Sequence, residues 1–168
     1  MRLWLLRHAK SSWDDDGLAD VDRPLAARGE RAADAMATYI ADASVRPELV
    51  LCSPALRARQ TLEHVRPSLG EPEVRIEPEV YTFDPEPLLT LLRSVPDEVT
   101  SVMMVGHNPA FHDLAVMLAR TGDDLLDLVV KYPTGALAEL EPDASSWSEV
   151  EAGGAVLTRF VTPRTLER

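Results

Sequence analysis

The chain opens with Arg2-Leu3-Trp4-Leu5-Leu6-Arg7-His8, an apolar run that ends in two polar residues. A short, continuous apolar run of this kind is typical of a strand covered on both faces of its sheet. Two further runs have the same form. Residues 49–52 precede Ser53-Pro54, and residues 102–105 precede Gly106-His107-Asn108-Pro109. The repeated pattern predicts parallel strands that end at one edge of a sheet.

Helical patterns separate these runs. We predict strands near 2–6, 48–52, 100–105, 135–140 and 154–161, with a weaker strand at 74–77, and helices near 28–43, 55–68, 85–94 and 109–120. This alternation predicts an α/β fold, a three-layer sandwich with a mostly parallel central sheet and helices on both faces. Because 168 residues fit one domain, we expect residues 1–168 to form a single domain.

Charge and composition narrow the function classes. The chain has 17 basic and 28 acidic residues and a net charge of −11, which argues against nucleic acid and anionic membranes as partners. The apolar start is too short for a signal peptide, and no segment approaches the length of a membrane span. One cysteine excludes an internal disulfide. We therefore expect a cytoplasmic protein.

The residues that follow the three strands are suited to an oxyanion. If the strands are parallel, Arg7 and His8 leave the sheet close to His107. Arg57 falls in the first turn of its predicted helix, where side chains lean back toward the strand ends. An arginine can hold two phosphate oxygens at once, and a histidine can act as a nucleophile. The predicted catalytic and phosphate-binding residues are Arg7, His8, Arg57 and His107.

The same junctions predict two helix starts. Ser53 and Asn108 are suitable N-cap residues, and Pro54 and Pro109 suit the first helical position after them. A helix N-terminus at the end of a strand favours an anion through its free N–H groups and partial positive charge.

Other phosphate chemistries fit less well. A cysteine-based phosphatase needs five residues between its cysteine and arginine, but Arg57 and Arg59 are separated from Cys52 by four and six residues. No Gly-rich run ends in the pattern of a P-loop. His107 and His112 lack the further carboxylates or cysteines of a metal centre, so neither a metal nor another cofactor is expected.

Taken together, the motifs resemble those of the histidine phosphatase (phosphoglycerate mutase-like) superfamily. The resemblance lies in Arg7-His8-Ala9-Lys10-Ser11-Ser12-Trp13, in Arg23-Pro24-Leu25 with Arg28-Gly29, in Ser53-Pro54 through Gln60-Thr61, and in Gly106-His107-Asn108-Pro109. It covers residues 2 to about 120, and the opening is most similar to that of SixA-type phosphohistidine phosphatases. It implies a metal-independent phosphatase. His8 would carry the phosphoryl group covalently, with the other three predicted residues around it.

The chain departs from the family pattern at several points. Ala9 stands where the mutase-like pattern has glycine, and Asp14 stands where many members have a phosphate-binding asparagine. The family's general acid is a glutamate, and the corresponding stretch 79–86 offers Asp84 and Glu86 as candidates, with Glu79 as a third. Arg23 either shapes the rim of the pocket or pairs with the acidic loop at 14–16.

These departures bear on the substrate. An alcohol leaving group needs a proton from a well-placed acid, whereas imidazole can leave as a neutral ring when its far nitrogen is protonated. We therefore favour a phosphohistidine on a histidine phosphotransfer or phosphocarrier protein as the substrate. The alternatives are a phosphatase for small phosphate esters and, less favoured, a non-catalytic phosphate-binding protein. A mutase is disfavoured because the sequence shows no extra basic cluster.

Overall fold

A computed structural model describes residues 1–168 with seven strands and six α-helices. The strands are β1 (Arg2–Arg7), β2 (Leu49–Cys52), β3 (Glu73–Ile76), β4 (Ser101–Gly106), β5 (Ala119–Thr121), β6 (Leu137–Pro142) and β7 (Ala155–Val161). The helices are α1 (Ala27–Asp42), α2 (Leu56–Val65), α3 (Pro85–Arg93), α4 (Ala110–Leu118), α5 (Leu125–Val130) and α6 (Pro163–Leu166). No helix has the length and apolar character needed to cross a membrane.

All seven strands belong to one sheet in the order β3-β2-β4-β1-β6-β7-β5. Strands β3, β2, β4 and β1 are parallel, and only β6 runs against its neighbours. The predicted mostly parallel sheet is therefore confirmed.

Helices cover both faces of this sheet, because successive residues of β1 belong alternately to two different cores. Leu3 and Leu5 belong to a core shared with α3 and α4, whereas Trp4 and Leu6 belong to a core shared with α1 and α2. Every residue from Leu3 to Leu6 is buried because the strand is covered twice. The sheet is therefore the middle layer of a three-layer α/β sandwich.

The predicted strands and helices exist, but three short elements were not predicted. They are β5, α5 and α6. The predicted helix 109–120 stops at Leu118, because residues 119–121 turn extended and pair with β7. The predicted helix 55–68 stops at Val65 and tightens to a 3₁₀ turn that contains Pro67, which cannot continue an α-helix.

Both predicted N-caps are wrong by one or two residues. Helix α2 begins at Leu56, and Ser53 instead accepts the N–H of Ala55 at 3.2 Å. Helix α4 begins at Ala110, after Pro109, and the side-chain amide of Asn108 donates to the carbonyl of Tyr132 at 2.9 Å. Both polar side chains are thus used at the strand ends and not at the helix starts.

Candidate active site

The carboxyl ends of β1, β2 and β4 meet, as the sequence predicted. Arg7 pairs with Gly106, and Cys52 pairs with Val105. A small cavity of about 150 Å³ lies at this edge. It is lined by His8, Asp20, Arg57, Tyr81, Thr82, Phe83, His107 and Asn108.

His8 is buried, and one of its ring nitrogens is fixed. Nδ1 lies 2.7 Å from the carbonyl oxygen of Ala9, which can only accept, so Nδ1 carries the proton. The lone pair is therefore on Nε2. The Ala9 N–H donates to the hydroxyl of Thr61 at 3.0 Å, and that hydroxyl donates to the carbonyl of Arg57. Helix α2 thus holds the loop that follows His8.

His107 lies beside His8, with ring centroids 5.2 Å apart. Its Nε2 is 2.7 Å from the hydroxyl of Ser53, which reaches it from the end of β2. Its Nδ1 is buried and has no hydrogen-bond partner. Ser53 therefore orients the ring and leaves one nitrogen available.

Arg7 does not line this cavity, but it pairs in the sheet with Gly106, the residue before His107. Its Nη1 donates to the carbonyl of Tyr132 at 2.8 Å, which also accepts from Asn108. Its Nε is buried without a partner, as is Oδ1 of Asn108. With Nδ1 of His107, these are the three buried side-chain polar atoms of the chain that lack a partner. Buried polar groups are otherwise almost always paired, so their gathering at one edge marks a binding site.

Arg57 is held by a carboxylate that the sequence analysis did not single out. Its Nη1 donates to the carbonyl of Asp20 at 2.7 Å and its Nη2 to Oδ2 of the same residue at 3.0 Å. Asp20 lies in a 3₁₀ turn at Asp20–Asp22, and it also accepts from Tyr81 and Arg23. The hydrogen bond from Tyr81, then those from the arginines, lower the pKa of Asp20 to about 2.

Both histidines are neutral at physiological pH. Burial is the largest cause that lowers the pKa of His8 to about 4. The hydrogen bond to the Ala9 carbonyl is the next largest effect and opposes it, and the charges of Arg57 and Arg7 lower the pKa further. Burial, followed by repulsion from His8 and Arg57, lowers the pKa of His107 to about 3. A neutral His8 keeps the lone pair that a nucleophile requires.

The predicted site residues divide into three groups. His8, Arg57 and His107 line one cavity, and Arg7 is at the same strand edge without lining it. Asp84 and Glu86 are exposed and do not line it. Asp20 is the carboxylate at the cavity. Its sequence signal is a spacing of three residues before Arg23, which lets both side chains meet across one turn.

Arg23 pairs with Asp20 and not with the acidic loop at 14–16. Its Nη1 lies 3.1 Å from Asp20, and its Nη2 donates to Ser11 at 2.6 Å. Its guanidinium carbon lies 3.2 Å from the centre of the Trp13 ring. Arg23 therefore braces the loop that carries Asp20.

Three other expectations concern residues outside the cavity. No group of three or more histidine, cysteine or acidic side chains is placed to hold a metal ion. Cys52 is fully buried and is a core residue, and this burial raises the pKa of its thiol to about 12. The expected absence of an extra basic cluster is wrong, because five basic side chains line a broad hollow beside the site.

Comparison with known proteins identifies relatives of the chain. The profile of the histidine phosphatase superfamily (branch 1) matches residues 3–84. An uncharacterized protein of Mycobacterium tuberculosis is 39% identical over 95% of this chain and all of its own length. The phosphohistidine phosphatase SixA of Escherichia coli is 33% identical over 65% of this chain and 68% of its own.

A solved structure has a similar fold along nearly the whole chain. The Agrobacterium tumefaciens protein named phosphohistidine phosphatase SixA has a TM-score of 0.80 and is 35% identical, over 96% of this chain and 97% of its own. This similarity extends through β6 and β7, beyond the motifs at residues 2–120. With its arginine and histidine pair at the end of β1 and the similarity along its length, the chain belongs to the histidine phosphatase superfamily.

Proposed function

We propose that residues 1–168 form a single domain that hydrolyses phosphohistidine on a protein through a covalent phospho-His8 intermediate, without a metal. The observation that carries the proposal is the protonation state of His8 and of Asp20 in the cavity. His8 presents a free Nε2 beside His107 and Arg57, while the one carboxyl group of the cavity, Asp20, is held ionised.

The first step uses the fixed tautomer of His8. Its Nε2 attacks phosphorus, and the bond from phosphorus to the substrate histidine breaks, with the electron pair going to the substrate nitrogen. When the far nitrogen of that ring is protonated, it leaves as neutral imidazole. Nδ1 keeps its proton and its bond to the Ala9 carbonyl throughout. Phospho-His8 then carries the charge that the substrate carried.

The surrounding groups stabilise the phosphoryl oxygens. If Ser53 donates to Nε2 of His107, the proton of His107 is on Nδ1, the buried nitrogen without a partner. We propose that this N–H, the Nε–H of Arg7 and the guanidinium of Arg57 bind the transferring oxygens. Phosphoryl transfer depends largely on positioning and charge neutralisation, which fixed donors supply without reorganising.

The second step returns the enzyme to its starting state. Water attacks phosphorus, the pair of the phosphorus–nitrogen bond returns to Nε2, and both protons of the water leave with dihydrogen phosphate. Neither step requires a carboxylic acid. With a pKa of about 2, Asp20 holds no proton to give to an alkoxide at pH 7. This favours imidazole over an alcohol as the leaving group.

The similarity to proteins named SixA supports the same substrate class. The alternative is a phosphatase for small phosphate esters, with Tyr81 or a residue outside the cavity as the acid.

Parallel turnover tests the proposal. We would measure kcat/KM for a phosphohistidine peptide and for a panel of sugar and nucleotide phosphates, with wild type, His8→Gln and His64→Gln. His64 is a partly exposed histidine of α2 and serves as the matched control. We expect the peptide to be preferred, with activity lost only in His8→Gln. Hydrolysis of the esters alone would overturn the proposed substrate.

A further inference from the structure

A broad hollow of about 890 Å³ lies beside the candidate active site. Its basic lining residues are Lys10, Arg28, Arg31, Lys131 and Arg164, and its one acidic lining residue is Glu167. These are five of the chain's 17 basic residues and one of its 28 acidic residues. The hollow is therefore a positive region on a protein whose net charge is −11.

The hollow adjoins the phosphate cavity through two segments. Lys10 follows His8 by two residues, so their Cα atoms are at most about 7 Å apart. On the other side, the chain at 131–135 runs past the site, where the Gly135 N–H donates to the carbonyl of His8 at 3.0 Å. The hollow therefore lies beside the backbone of the loop that carries His8.

Helix α1 presents two of the cations from a fixed position. The Ala26 N–H donates to the carbonyl of Lys10 at 2.9 Å. A Cβ atom at Gly29 would lie 2.0 Å from the same carbonyl oxygen, so only glycine permits this contact between α1 and the His8 loop. Arg28 and Arg31 are consequently held beside Lys10.

None of the five cations is neutralised within the chain. The ion pairs of the protein involve other basic residues, and the side chains of these five donate no hydrogen bond. Four are exposed, and Lys10 is half-buried. Exposed charges of one sign attract an opposite surface over a Debye length, about 8 Å at physiological salt.

We propose that this hollow binds an acidic surface of the protein that carries the phosphohistidine, a proposal that rests on the proposed function. Its breadth and exposure suit a protein surface better than a small ligand, which would be enclosed. An acidic partner would otherwise be repelled by a chain of net charge −11. The positive hollow attracts the acidic partner at the place where the phosphohistidine must approach. This attraction raises the rate at which enzyme and substrate protein associate productively.

Matched peptides and matched variants test this surface. The probes are two phosphohistidine peptides with the same core, one flanked by six glutamates and the other by six glutamines. The enzymes are wild type, the triple variant Arg28→Gln, Arg31→Gln, Lys131→Gln, and a control triple Arg66→Gln, Arg75→Gln, Arg120→Gln. The control changes net charge equally at exposed sites outside the hollow.

We expect wild type and the control to prefer the glutamate peptide. In the hollow variant kcat/KM for that peptide falls roughly tenfold, because the free energies of three modest surface charge interactions are lost together. The kcat/KM for the glutamine peptide stays unchanged. Equal preference in all three enzymes would overturn the inference but leave the proposed function standing. If neither peptide were hydrolysed, the proposed function itself would fail.

A second arm separates protein from nucleic acid. Fluorescence anisotropy with a single-stranded oligonucleotide at 150 mM salt is expected to show no saturable binding. Micromolar binding lost in the hollow variant would reassign the surface to a nucleic acid.

Discussion

The burial and positive charge of the site should keep His8 neutral at an unusually low pH. An ordinary imidazole has a pKa near 6.5, whereas burial and the neighbouring arginines lower the pKa of His8 to about 4. At pH 5.5 an ordinary histidine would be only about one-tenth neutral, while His8 would remain mostly neutral. The tenfold difference in the nucleophilic form is large enough to measure.

The assay is NMR of the protein with labelled imidazole carbons, titrated from pH 8 to pH 3.5. The chain has four histidines, so His8→Gln and His107→Gln assign the two buried ones. We expect their resonances to stay unshifted through pH 5.5. Because burial is the larger cause, Arg57→Gln raises the pKa of His8 only part of the way to 6.5. A wild-type His8 that titrates near 6.5 would refute the reasoning.

The same shift predicts acid sensitivity of the fold. Between pH 6.5 and 4 the unfolded chain binds a proton at His8 that the folded chain does not bind, so stability falls as pH falls through this window. At about 1.4 kcal/mol for each pKa unit, the loss is roughly 3 kcal/mol. Denaturant unfolding at pH 6.5 and at pH 4 measures the loss, which is smaller in His8→Gln.

Four further predictions concern the groups around His8. Ser53→Ala removes the partner of His107, and we expect kcat to fall about tenfold to a hundredfold with the circular dichroism spectrum unchanged; an unchanged kcat would contradict the role given to Ser53. Asp20→Asn removes a negative charge that competes for Arg57, so inorganic phosphate inhibits about fivefold more tightly, while the exposed neighbour Asp22→Asn changes nothing. Thr61→Val leaves the Ala9 N–H without an acceptor and lowers the free energy of unfolding in urea by roughly 1–3 kcal/mol; a change below the error of the measurement would show that another acceptor replaces it. Treatment with a metal chelator leaves turnover unchanged, because no cluster of metal-ligating side chains exists, and loss of activity restored by a divalent ion would count against the proposal.

The sheet could be predicted because its central strands carry continuous apolar runs. Leu3–Leu6 and Val102–Val105 are buried on both faces, and such runs are distinctive even in a single sequence. By contrast, β5 has only three residues and forms because β7 offers an edge, which is a tertiary effect. The same limit applies to the helix starts, where Ser53 and Asn108 bind partners distant in sequence.

The convergence of His8, Arg57 and His107 could be predicted because each follows a strand of the same sheet. Asp20 could not be predicted in this way. It lies in a loop without a strand before it, and its position depends on contacts with Arg57 and Tyr81 that are 37 and 61 residues away. The basic hollow was missed for a similar reason, since its cations come from four separated segments of an acidic chain.

The central claim is that His8 becomes phosphorylated during turnover, and trapping tests it most directly. Wild type, His8→Gln and His64→Gln are mixed with a phosphohistidine peptide carrying ³²P, quenched within milliseconds in alkaline detergent and separated from substrate. We expect label on wild type and His64→Gln that survives alkali and is lost in acid, and no label on His8→Gln. Equal labelling of all three proteins would contradict the account.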